Sequence, residues 1–91
     1  MAPAARKKVL HRIADRIEAE ALALTVLGVR DNGTEFNMAL KAEAGSAAGT
    51  FRYYAEALDK VAGEVAPTAP DVLGLVQRAP VGVVGAIVPW N

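Results

Sequence analysis

Apolar side chains recur along the first third of the chain at Val9, Leu10, Ile13, Ile17, Ala21 and Leu24, in steps of three and four. That period lays one stripe along a helix, and it predicts a helix over residues 9–27. Arg12, Asp15, Arg16 and Glu20 occupy the opposite face, where Arg12 with Asp15 and Arg16 with Glu20 have the separations of weak surface ion pairs. His11 lies among these polar positions. Only Asp15 offers a second ligand-type residue one turn away, so His11 reads as a solvated side chain without a catalytic or metal role.

The stretch "RDNGTE", Arg30 to Glu35, interrupts this pattern. Asn-Gly suits a left-handed residue, either in a hairpin turn or at a helix C-terminus. Helical periodicity resumes on its far side, which selects the second option: Gly33 ends one helix and Thr34 is the expected N-cap of the next. The second helix is predicted over residues 35–62, with Leu40, Ala44, Ala47, Phe51, Ala55, Leu58 and Ala62 on one stripe and Gly63 closing it. Gly45 and Gly49 weaken its middle by about 1 kcal/mol each relative to alanine. Their four-residue spacing predicts close packing against a neighbouring helix.

The texture changes after "GEVAPTAPD", which Pro67 and Pro70 mark as an extended connection. Two β-type segments follow, residues 72–77 and 81–88, separated by Pro80. The second is apolar at nearly every position, as in a strand covered on both faces within the parallel sheet of an α/β protein. Such a strand requires neighbours that 91 residues do not supply, so the chain is expected to be a fragment of a larger α/β fold: two long helices followed by two β-strands, lacking most of the parallel sheet.

Composition narrows the function. Ten Lys plus Arg balance ten Asp plus Glu, leaving no net field to favour nucleic acid or an anionic membrane. The run "RKK" at Arg6 to Lys8 reads as a solvated helix start. No cysteine is present, which removes disulfides, thiolate metal sites and a cysteine nucleophile from these residues and points towards the cytoplasm. The longest apolar run, Val81 to Val88, falls far short of the roughly 20 residues a membrane-spanning helix takes, and no secretory signal pattern opens the chain.

The order of four stretches is informative beyond composition. "VLHRIADRIE", "DNG", "FRYYAEALDKVAGEV" and "RAPVGVVGAIVPWN" together resemble the aldehyde dehydrogenase superfamily over nearly the whole chain. The terminal string is the specific part. Within the superfamily, "YAEALDKVAGEVAPT" is most similar to the bacterial branch acting on amino-aldehydes, γ-glutamyl-γ-aminobutyraldehyde among them. The resemblance implies that residues 1–91 are part of the cofactor-binding domain, with residues 72–77 in the oligomerisation arm. It further implies NAD or NADP as cofactor, a small-molecule aldehyde as substrate and a homo-oligomer at full length.

The chemistry so implied is attack of a cysteine thiolate on the aldehyde, hydride transfer to the nicotinamide and hydrolysis of the thioester by a glutamate-activated water. Asn91 matches the family asparagine whose amide donates to the aldehyde oxygen, an uncharged N–H placed where negative charge develops, worth on the order of 3 kcal/mol. Val88, Pro89, Trp90 and Asn91 match the stretch at the strand's carboxyl end that touches the cofactor, where ligands of open α/β sheets bind. Asp31, in "DNG", matches a residue that in some members helps hold a monovalent cation. Read without the resemblance, Asn91 is a turn residue, Trp90 a core residue and Asp31 an ordinary helix-end carboxylate.

The catalytic cysteine, the glutamate motif and the glycine-rich phosphate turn of the family are not among these residues, and the family fold begins before "APAARKK". The 91 residues alone are therefore expected to be inactive. A rival reading, a helical interaction module with a β-hairpin tail, requires alternation of apolar and polar residues over Val81 to Val88. The sequence does not alternate there.

Overall fold

A computed structural model describes residues 1–88; Pro89, Trp90 and Asn91 lie outside the described residues. The chain divides into a helical unit, Met1–Asp59, and a second unit from Lys60 onward.

Three helices build the first unit: α1 (Pro3–Ala19), α2 (Ala21–Asn32) and α3 (Phe36–Ala57). Pro3 starts α1 at a position where its missing N–H costs nothing, and the Ala2 carbonyl accepts the first bonds, from Ala5 N at 3.0 Å and Arg6 N at 3.1 Å. The single helix expected over residues 9–27 is thus two. Glu20, at φ −104° and ψ 15°, interrupts it, although its N–H still reaches the Arg16 carbonyl and its carbonyl still accepts from Leu24 N. No glycine or proline marks the break. Its effect is to rotate the buried face, so that Thr25 is buried while Leu24 of the expected stripe is 43% exposed.

Gly33 ends α2 in the left-handed region at φ 75°, and its N–H closes on the Val29 carbonyl at 2.8 Å, as the Asn-Gly signal predicts. The cap of α3 is Glu35 and not Thr34. Thr34 is engaged in the turn, donating through both N–H and hydroxyl to Asn32 Oδ1. The Glu35 carboxylate accepts from Asn37 N at 2.9 Å and Met38 N at 2.8 Å. A carboxylate with two acceptor oxygens suits the positive end of a helix dipole at least as well as a hydroxyl.

The core of this unit is alanine. Ala14 of α1 and Ala39, Ala44, Ala48 and Ala55 of α3 are buried, which lets α3 lie close against α1 and, over less of its length, against α2. Ala44 and Ala55 belong to the predicted stripe; Leu40 does not go in. Gly45 and Gly49 face open space, with no heavy atom within 4 Å of where a Cβ would stand, so the packing expected at this pair is absent among the described residues.

In the second unit, β1 (Glu64–Ala66) pairs antiparallel with β2 (Gly74–Val76) in the register Glu64 to Val76, Val65 to Leu75 and Ala66 to Gly74. β2 falls inside the predicted 72–77 segment. β1 falls within the stretch expected to be a bare connection. Gly63 does not close a helix, since α3 stops at Ala57; it lies beside the hairpin, where a Cβ would come within 2.5 Å of the Val76 carbonyl oxygen. Residues 81–88 form no strand. Val83 and Ile87 are fully exposed, and Gly82 takes φ 115°, outside the strand region. A strand is held by hydrogen-bonded neighbours, and none is supplied to this run by the described residues. Among the described residues no helix is long and apolar enough to cross a membrane.

Candidate functional site

Of the residues with a predicted chemical role, Asp31 and Val88 are described, and they belong to different units. Asp31 lies exposed in the last turn of α2, two residues before the left-handed Gly33. Its carboxylate and the carbonyls a helix leaves unbonded at its C-terminus are hard oxygen donors, a set that fits a monovalent cation. Among the described residues no three His, Cys, Asp or Glu side chains gather as a metal site. Val88 ends the exposed apolar run and is itself 77% exposed. It fits van der Waals contact with a planar ring and provides no group for a phosphate. Pro89, Trp90 and Asn91 fall outside the described residues.

Periodicity did not reveal the ionic seam between α1 and α3. Arg52 forks onto both Glu18 oxygens and reaches Asp15 Oδ1 at 2.9 Å. One turn further along α3, Glu56 accepts from Lys7 at 2.5 Å and meets His11 Nε2 at 2.9 Å, while Asp59 stands 3.7 Å from Lys7. His11, expected to be a solvated side chain, is instead a half-buried inter-helix partner of Glu56. The guanidinium of Arg52 holds Glu18 below the ordinary glutamate range, and Lys7, followed by His11, does the same for Glu56. Glu56 in turn raises Lys7, and Glu18 then Asp15 raise Arg52. The i,i+4 pair Arg16–Glu20 forms at 3.0 Å as its spacing predicts. Asp15 turns instead to Arg52, a partner 37 residues away that no local spacing signals.

This seam joins α1 to α3. The aldehyde dehydrogenase family model matches residues 1–91. The chain belongs to that family.

Its relatives agree. The NADP/NAD-dependent aldehyde dehydrogenase PuuC of Escherichia coli is 48% identical over 89 residues, covering 98% of this chain and 18% of its own length. The fluoroacetaldehyde dehydrogenase of Streptantibioticus cattleyicolor is 43% identical over 90 residues, again with 18% of its length covered. Among solved structures, the apo crystal structure of an indole-3-acetaldehyde dehydrogenase matches at 39% identity with a TM-score of 0.80, covering 90% of this chain and 19% of that one. The chain therefore spans under a fifth of the length of these relatives.

Proposed function

We propose that these 91 residues are the early portion of the cofactor-binding domain of a longer NAD(P)-dependent aldehyde dehydrogenase, which oxidises an aldehyde to a carboxylic acid. The observation that carries this reading is the family match along the entire chain, together with the 48% identity to an enzyme named as NADP/NAD-dependent. The stretch "YAEALDKVAGEVAPT" supports an amino-aldehyde as the substrate class.

Within that enzyme, the bound nicotinamide supplies the two-electron acceptor. The residues of this chain bind and orient. Asn91 donates its side-chain N–H to the aldehyde oxygen, where charge accumulates as the carbonyl is attacked, and stabilises it without giving up a proton. Val88, Pro89 and Trp90 would supply apolar side chains to the cofactor when it is bound. Asp31 contributes one carboxylate to a monovalent cation. Residues 72–77 lie in the oligomerisation arm, and the exposed Leu73, Leu75 and Val76 provide apolar surface for a second subunit.

The test is an assay of the longer polypeptide carrying this segment, following NADH and NADPH formation with an amino-aldehyde and with an unsubstituted aliphatic aldehyde. Cofactor-dependent oxidation with a higher kcat/KM for the amino-aldehyde is the expected result. No oxidation of any aldehyde by the folded longer chain would contradict the reading, and an equal or better rate with the unsubstituted aldehyde would remove the substrate class alone.

A further inference from the structure

Within the helical unit, a cavity of about 300 Å³ opens between the three helices, lined by Ile17, Leu24, Thr25, Glu43, Ala44 and Ala47. Its size is at the lower end of small-ligand pockets. Four of its six lining residues are aliphatic, and the other two are polar groups left without partners. Thr25 is 1% exposed, yet its hydroxyl has no hydrogen-bond partner, a condition that costs free energy in a buried position. Glu43 is half-buried, and its carboxylate makes no hydrogen bond or ion pair among the described residues. It differs in this from Glu18, Glu35 and Glu56 of the same unit, each of which is bonded.

Glu43 lies against the bare backbone of α2: its Oε2 is 3.2 Å from where a Cβ on Gly28 would stand. A negative charge, a free hydroxyl and aliphatic walls are complementary to one ligand chemistry: a primary ammonium on a short hydrocarbon body. The ammonium has three donors and no acceptor, so it can satisfy both the carboxylate, through a charge-assisted bond, and the hydroxyl oxygen. The alkyl body takes the place of water against Ile17, Leu24, Ala44 and Ala47.

We propose that this cavity is a binding site for a small aliphatic ammonium ion, built from residues other than those proposed for the aldehyde and cofactor and independent of that reading. The probe is propylammonium at neutral pH, titrated into the longer polypeptide that carries this segment and followed by NMR of labelled Ile, Thr and Ala methyl groups. Saturable shifts centred on Ile17, Thr25, Ala44 and Ala47 are expected, and uncharged propanol should bind about tenfold more weakly, for want of the charge-assisted bond. Glu43→Gln should lose about tenfold in affinity on the same ground. A further variant acts without touching the carboxylate's charge: Thr25→Val keeps the shape and removes the hydroxyl. It should weaken binding severalfold while the helical circular dichroism stays that of the parent, and it decides the matter if Glu43→Gln does not fold. Shifts that never saturate, propanol binding as well as propylammonium, or undiminished affinity in the folded variants would overturn the proposal.

Discussion

Gly45 and Gly63 are the same residue type with opposite consequences. Gly45 sits inside α3 with ordinary helical φ and open space around it, as does Gly49. Alanine at either position meets nothing and restricts the unfolded chain, so Gly45→Ala and Gly49→Ala should each stabilise the helical unit by up to about 1 kcal/mol in thermal or urea unfolding. Gly63 is confined by backbone: its added Cβ would stand 2.5 Å from the Val76 carbonyl oxygen. Gly63→Ala should therefore displace β1 from β2, and the cross-strand contacts between Glu64 and Val76 should disappear from the NMR spectrum. An unchanged hairpin in that variant, or a destabilised α3 in the Gly45 variant, would show that these surroundings are misread.

At the scale of elements, α1 and α3 are joined by small side chains and by charge. Glu18, Glu35 and Glu56 each have a folded pKa below the unfolded one, from Arg52, from the Asn37 and Met38 N–H groups, and from Lys7 with His11 respectively. Their contribution is fully present above the ordinary glutamate pKa of about 4.5 and is lost as pH falls through the lower folded values. Helicity of the unit should accordingly be level from neutral pH down to that region and then decline. All these groups are exposed, so added salt should reduce the difference. A helical signal that fell on acidification well above pH 4.5, or did not fall below it, would disagree with the observed pairing.

Much of this level was legible beforehand. Periodic apolar residues marked the helices, and Asn-Gly placed the turn at Gly33, because both signals are local. The choice of Ala14, Ala48 and Thr25 as buried positions was not legible, since it follows from how α3 packs against α1 and α2, and no local signal marks the break at Glu20. Arg52 with Asp15 and Glu18 is likewise a long-range pairing that no i,i+4 spacing encodes. In the candidate site, the residues proposed to act rest on resemblance to a family, and periodicity contributed only the position of the strand-like run before them.

For the whole molecule, the second unit stands out: its ribbon has three residues per strand, and Leu75, Val81, Val83 and Ile87 are exposed. Apolar side chains beside unpaired backbone invite pairing with another chain. The isolated polypeptide should self-associate through residues 72–88, and Leu75→Lys with Val83→Lys should restore a monomer in sedimentation velocity without loss of helix. The parent chain sedimenting as a monomer at high concentration would refute this. The isolated polypeptide should also oxidise no aldehyde, because the thiolate that covalent aldehyde oxidation uses is not among its residues.

Asn91, proposed as an oxyanion donor within a longer aldehyde dehydrogenase, is where the proposed function can be tested most directly. In the longer enzyme, Asn91→Ala should slow turnover by roughly 10²- to 10³-fold, the loss found for one such donor, with cofactor affinity changed far less. Asn91→Asp should be at least as damaging, because it removes the N–H and sets a negative charge beside the one that forms. The decisive measurement is the single-turnover rate of hydride transfer in the folded, cofactor-saturated Asn91→Ala enzyme. A rate lowered by two to three orders of magnitude is the result predicted; a rate close to that of the unsubstituted enzyme would make Asn91 a turn residue and contradict the account.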